Sequence, residues 1–344
     1  MQGKQLSLKA ALCVAGALAL SNAAFAATKY SALDITPAGA TGCTTWAINV
    51  QAQVVGSATL VQGQGTRGFI TGPTGSNPKL IGTLGGSSSQ LMGLNDLGQA
   101  VGDATLADGT TTHAILVEPG GISAIDLGTL GGNYSTATAT NVKGRIIGQA
   151  TKAGSDRLFG FVTSGANHKM AELGPDMYPR AINAKGVVAG SILGEDKVDG
   201  FITGPSADGL TLLGTLGGTA TWAWGINKSG MVVGLSARDD QISNPAFVTD
   251  AGGGNLRSLG IPGPLSLAMS INNQGRIVGY YDRDFGGPSR AFIARSTGGY
   301  KDLNTQVSLP GGAQLTLASG INDKGQIAAH ADNKRCYLLT PLAR

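Results

Sequence analysis

Charge is scarce in this chain. Asp, Glu, Lys and Arg make up 13% of 344 residues, and the formal net charge is only +4. No block of like charges interrupts that dilution, so the sequence has neither the basic footprint of a nucleic-acid binder nor a patch for an anionic membrane. Histidine is scarcer still. His113, His168 and His330 fall at unrelated positions, and no Asp-rich calcium loop accompanies them, so no metal centre is expected. A Gly-x-Ser-x-Gly elbow and a phosphate loop ending in Gly-Lys-Ser/Thr are both missing, and no cofactor is expected. Paired carboxylates for glycoside chemistry stay open, because they need not be neighbours in sequence.

Long apolar runs are missing after the first residues, and none there approaches the roughly 20 residues of a membrane-spanning helix. The run that does exist, Ala10 to Leu20, follows Lys4 and Lys9 and precedes the small-x-small triplet Ala24-Phe25-Ala26. That order reads as an export signal over residues 1–26. The mature chain, residues 27–344, is then expected to be one domain, secreted or periplasmic and monomeric, with a net charge of +2 once Lys4 and Lys9 are gone.

Glycine is what the chain has in excess, 55 of 344 residues, without a collagen-like period and with 42% hydrophobic residues. Disorder is excluded by that apolar content, so the glycines need a geometric reason. A repeat supplies one. Gly93-Leu94-Asn95-Asp96-Leu97-Gly98 runs into Ala100-Val101-Gly102, and Gly225-Ile226-Asn227-Lys228-Ser229-Gly230 runs into Val232-Val233-Gly234. The frame recurs at Asn141, Asn183, Asn272 and Asn322, and at Asn49 with Ala52 in place of the turn glycine. Steps between these asparagines are 46, 46, 42, 44, 45 and 50. A second anchor at Phe69, Ile115, Phe161, Phe201, Phe247, Phe292 and Tyr337 keeps the same period. Seven units of about 45 residues follow.

Each unit reads as four short strands. In the second unit they are Lys79 to Leu84, Gln90 to Leu94, Gln99 to Asp103 and His113 to Val117. Asn-x-x-Gly between the middle two is a hairpin signal, with the Asn side chain closing an Asx turn and the Gly supplying positive φ. A four-stranded unit apolar on both faces must stack on its copies. Seven such units predict an all-β, seven-bladed β-propeller. An open β-solenoid is the alternative, disfavoured by the antiparallel hairpins.

Three segments carry a family resemblance. Ile81-Gly82-Thr83-Leu84-Gly85-Gly86, Leu127-Gly128-Thr129-Leu130-Gly131-Gly132 and Leu213-Gly214-Thr215-Leu216-Gly217-Gly218 resemble the Leu-Gly-x-Leu-Gly-Gly signature of the HAF family of bacterial extracellular repeats. His113-Ala114-Ile115 is similar to the His-Ala-Phe that names it. The resemblance spans essentially the whole mature chain and implies an exported β-repeat protein, with no general activity attached. The fourth unit departs from it, having only Glu172-Leu173-Gly174-Pro175, and units one, six and seven lack the full signature.

In an up-and-down unit the Asn turns share one face, and the loops after strands one and three share the other. The Asn turns are uniform. The opposite loops vary and concentrate charge, which is where binding usually evolves. Ligand-binding candidates are therefore Asp239 and Asp240 in one loop, and Tyr280, Tyr281, Asp282, Arg283 and Asp284 in the next. Trp46, Trp222 and Trp224 precede Asn turns and serve either inter-unit packing or a sugar platform; Trp222 and Trp224, two apart, are the better ligand candidates. No catalytic residue is assigned. Cys43 in the first unit and Cys336 in the last are the two cysteines left after cleavage. A closed ring would make those units neighbours, and an oxidising compartment would allow a disulfide there, worth on the order of 5 kcal/mol as an upper figure. The function expected is non-catalytic binding of an extracellular or periplasmic ligand, glycan or protein. The alternatives are an extracytoplasmic glycan-active enzyme and a structural surface or matrix protein.

Overall fold

The computed structural model describes residues 29–61, 64–164, 167–240 and 242–342; the expected export signal lies outside them. Those residues fold into seven four-stranded antiparallel sheets arranged as the blades of a propeller. Blade 2 is typical: Gly85–Leu94 is innermost, then Ala100–Leu106, Thr112–Val117 and the outer Ile125–Asp126. Each strand pairs with its successor antiparallel. No helix among the described residues is long and apolar enough to cross a membrane.

The blade frame differs from the repeat frame read in sequence by one strand. The segment expected to open the second unit forms only a short strand, Lys79–Leu80, and it pairs with Thr66–Ile70 as the outer edge of blade 1. The Leu-Gly-x-Leu-Gly-Gly segments are the crossovers from one blade's outer strand to the next blade's inner strand. In the first, Thr83 Oγ1 accepts from Gly85 N–H and donates to the Gly86 carbonyl. A Cβ on Gly86 would lie 2.4 Å from the Leu106 carbonyl oxygen, so the second glycine permits the close approach. Between blades 3 and 4, where the signature is missing, the outer strand Lys169–Pro175 is long and only Asp176 separates it from Met177–Ile182.

The frame shift has its largest consequence at the chain ends. Tyr30–Asp34 pairs with Cys336–Pro341 in full register and completes blade 7 around Leu315–Ile321 and Ile327–Ala331. Blade 7 is thus made from both ends of the described chain.

The core is divided among the blade interfaces. Each of seven hydrophobic clusters is shared between two neighbouring sheets, including one that joins blade 7 to blade 1 through Cys336, Leu338, Cys43 and Phe69. The repeating aromatic or aliphatic anchor, from Phe69 to Tyr337, is buried at every position. Burying one such side chain stabilises by roughly 1.5–3 kcal/mol, and the gain exists only if the neighbouring blade is present.

The asparagines do more than close hairpins. In each turn the Asn Oδ1 accepts from the backbone N–H groups two and four residues on; for Asn95 these belong to Leu97 and Gln99, both at 3.0 Å. The Gly98 N–H bonds the Asn95 carbonyl, and Gly98 sits at φ 88°, where Ala52 replaces it at 59° in blade 1. The remaining Nδ2 proton donor reaches the backbone carbonyl of the next blade's Asn. These bonds run 49 to 95, 95 to 141, 141 to 183, 183 to 227, 227 to 272, 272 to 322 and 322 back to 49, at 2.9 to 3.3 Å. They form a closed ring around the axis. Aspartate would suit the turn, but only asparagine can accept and donate at once.

Candidate functional site

The seven inner strands enclose an axial channel. The residue before each Asn forms a girdle of Ile48, Leu94, Ile182, Ile226, Ile271 and Ile321, broken only by Thr140. One cavity of about 240 Å³ lies between this girdle and the asparagine turns, and a second of about 200 Å³ lies on its other side. The first is lined by the asparagine turns and by the residue after each Asn, which varies: Val50, Asp96, Val142, Ala184, Lys228, Asn273 and Asp323. The second is lined by another column in which the blades differ.

The difference comes from a β-bulge. Every inner strand shifts register at the same place: between Thr45 and Ala47 in blade 1, Pro179 and Ala181 in blade 4, and Ala223 and Gly225 in blade 5. The extra residue has no partner on the adjacent strand, and a bulge re-aims its side chain. These extra residues are Trp46, Met92, Thr138, Arg180, Trp224, Met269 and Ser319, and all seven line the second cavity. The sequence-level search passed over Arg180. Its signal was the column three residues before each Asn, the only inner-strand column that mixes tryptophan, methionine, arginine and hydroxyls.

Within this cavity Arg180 packs its guanidinium 4.7 Å from the centroid of Trp224. Burial draws its pKa below the ordinary value, as expected of a cation taken from water. Two residues further from the asparagine ring, Tyr178 and Trp222 meet edge to face at 6.4 Å. Both tryptophans named from sequence therefore contact blade 4. The neighbouring Asp103, on Ala100–Leu106, accepts from Gln90 Nε2 at 2.9 Å and Thr136 Oγ1 at 2.7 Å; burial still holds its carboxyl above the usual range. Burial, together with that carboxylate, raises the Tyr134 phenol as well.

The charged loop residues lie elsewhere. Asp240 accepts from the Ser243 hydroxyl and from the backbone N–H groups of Ile242 and Ser243, which hold its pKa at about 2 and tie the loop to itself. Asp239 is exposed beside Gly217. Tyr281 is buried at 1% exposure, donates to Asp302 Oδ2 at 3.2 Å and meets Tyr300 edge to face, so it braces blade 6 and presents no surface. Tyr280 is half-buried opposite Leu267. Asp282 accepts from Ser289 Oγ at 2.7 Å. Arg283 and Asp284 are exposed, with Arg283 3.6 Å from Asp302. The tryptophans and these loop acids are not gathered into one site: the acids sit on or beyond the second strand of blades 5 and 6, outside the channel wall.

Cys43 and Cys336 are disulfide-bonded, with Cα atoms 5.9 Å apart. Cys43 lies within the inner strand Ala40–Ile48, not in the preceding loop, and Cys336 begins its strand. His113 Nδ1 is 2.8 Å from Asp126, and among the described residues no group of three metal-binding side chains occurs.

No protein-family model matches the chain, and no curated protein matches it. Solved structures share its architecture at low identity. The β-propeller domain of the Trilobed protease from Pyrococcus furiosus has a TM-score of 0.58 at 9% identity, covering 89% of this chain and 97% of that one. A catalytically inactive virginiamycin B lyase from Staphylococcus aureus, solved with Quinupristin, has a TM-score of 0.54 at 12% identity, covering 91% and 100%. Acylaminoacyl peptidase from Pyrococcus horikoshii has a TM-score of 0.55 at 10% identity, covering 90% of this chain but 54% of its own, so the present chain spans about half of it. At such identities the likeness is one of fold. The Pyrococcus furiosus domain has an open velcro topology, whereas here Tyr30–Asp34 closes the last blade.

Proposed function

We propose that this is an exported, non-catalytic binding propeller of the HAF type, which takes a glycan in the channel cavity on the side away from the asparagine ring. The observation that carries the reading is the set of bulge residues. A scaffold that repeats its turns, anchors and ring bonds seven times places different side chains at one column, and that column faces a cavity. Trp46 and Trp224 there, with Tyr178 and Trp222 beyond, offer apolar ring faces beside polar groups, the combination that suits a sugar ring. The lining holds a cation, hydroxyls and indoles without a carboxylate, a set suited to holding a ligand rather than to acid–base turnover.

A protein ligand is the second reading. It draws on Phe285 and Ile242, exposed at 75% and 62% in the loops of adjacent blades.

Tryptophan emission of the mature protein, titrated with a saccharide panel, tests the first reading. Quenching by a saccharide that is recovered intact after long incubation supports it. Cleaved saccharide would make the protein an enzyme, and no response to any saccharide would remove the channel as its site.

A further inference from the structure

The channel cavity has an imbalance that its neighbours do not correct. Arg180 is the only charged residue lining it, and no Asp or Glu is among the others. Among the described residues no ion pair to Arg180 occurs. Its Nε is enclosed without a hydrogen-bond partner, and so are Trp46 Nε1 and Thr140 Oγ1. All three belong to the lining of the same cavity. Two of these atoms can only donate, and the third donates or accepts. Asp103, a buried acid of blade 2, already takes bonds from Gln90 and Thr136 and stands one strand back from the channel wall.

Leaving a guanidinium partly buried, with its Nε enclosed and unpaired, is costly, and folds usually avoid it by pairing the charge or by replacing it. The other six blades do replace it, with Trp, Met, Thr or Ser at the same bulge. The Trp224 ring under the guanidinium offsets part of the cost, yet it satisfies none of the N–H donors. A planar guanidinium with free donors matches a carboxylate, which it binds in two parallel hydrogen bonds.

We propose that the cavity selects a carboxylate-bearing ligand, of the size of one acidic sugar residue, whose carboxylate pairs with Arg180 and whose ring lies against the tryptophan faces. This rests on the binding reading given above and adds the charge of the ligand to it. The indole N–H of Trp46 and the hydroxyl of Thr140 serve the remaining oxygens. The aliphatic girdle behind them stops the ligand from passing to the asparagine end.

The test uses the mature protein at fixed low ionic strength, with three probes: D-galacturonate, D-galactose and acetate. Binding is followed by tryptophan emission and by calorimetry in wild type, Arg180→Gln and Arg180→Lys. Galacturonate is expected to bind at least tenfold more tightly than galactose. Arg180→Gln should remove that preference, bringing galacturonate down to the affinity of galactose, and Arg180→Lys should retain part of it. Thermal melts and far-ultraviolet circular dichroism of both variants establish that they fold. Equal affinity for the two sugars would overturn the charge assignment and leave the glycan reading standing. A preference that survives in Arg180→Gln would overturn Arg180 as its source. Acetate binding as tightly as galacturonate would keep the carboxylate and discard the sugar. If none of the three binds, the proposal and the reading beneath it both fall.

Discussion

The two ends of the channel are built on opposite plans. At one end, seven asparagines repeat the same four hydrogen-bonding roles and close on themselves. At the other, the equivalent bulge positions carry tryptophan, methionine, threonine, arginine or serine. The seven ring bonds themselves involve no ionisable atom, although Asp96, Lys228 and Asp323 stand beside them in the turns. The varied end contains Asp103, Arg180 and His330, each moved from its ordinary pKa by burial. Symmetry in this protein marks where the fold is held, and broken symmetry marks the site proposed for a ligand.

The seam between blades 7 and 1 tests that division most severely, because it is fastened at both ends by different means. On the asparagine side Asn322 Nδ2 donates to the Asn49 carbonyl, and beyond the girdle Ser319 Oγ donates to Thr45 Oγ1. On the loop side the Cys43–Cys336 bridge encloses a sequence separation of 293 residues. Reduction, or Cys43→Ser with Cys336→Ser, is expected to cost on the order of 5 kcal/mol as an upper figure, lowering the thermal midpoint by several degrees. An unchanged midpoint would mean that the asparagine side holds the seam alone.

Acid should act next, and from the varied end. His330 is enclosed with its Nδ1 unpartnered, and burial holds its pKa near 4 instead of 6.5. Between those values the unfolded chain takes up a proton that the folded chain refuses, so its contribution is intact above about pH 6.5 and is lost as the pH falls toward 4. The loss is at most about 3 kcal/mol. Leucine occupies the corresponding site in blade 5, at Leu235, so His330→Leu should flatten the stability profile across that window. A profile unchanged by the substitution would show that the imidazole is not the group responsible.

A single change at the uniform end should cost less but show a distinct signature. Asn183→Asp keeps the acceptor for Lys185 and Val187 and loses the donor to the Asn227 carbonyl. Denaturant titration should show a loss of about 2 kcal/mol. Part should return in acid, when the carboxyl regains a proton to donate. An acid-independent loss would count against the ring bond as the cause.

The smallest effect should have the opposite sign. Arg180→Met removes a partly buried, unpaired charge and is expected to raise stability by about 1 kcal/mol while abolishing the proposed carboxylate preference. A loss of stability would reveal a structural partner for Arg180.

Fold and site were unequally legible in the sequence, and for a physical reason. The period and the propeller could be read because the Asn turns and the aromatic anchors are local signals repeated often enough to exclude chance. The blade frame could not, because a closed cycle has no first strand: any phase of the repeat gives the same local pattern, and only long-range pairing assigns Tyr30–Asp34 to the blade that ends the chain. The channel lining was partly visible through Trp222 and Trp224. Arg180 was missed because strict alternation along a strand does not foresee a bulge. The charged loops drew attention because charge is rare here, yet Asp240 and Asp282 spend it on their own hairpins.

The composite seventh blade also sets an order of events. The strand made first among the described residues must wait for the strand made last among them, so the ring cannot close before that strand exists. Closure becomes a single late event, set by an encounter between segments some 300 residues apart, as the pairing of Asp34 with Tyr337 illustrates.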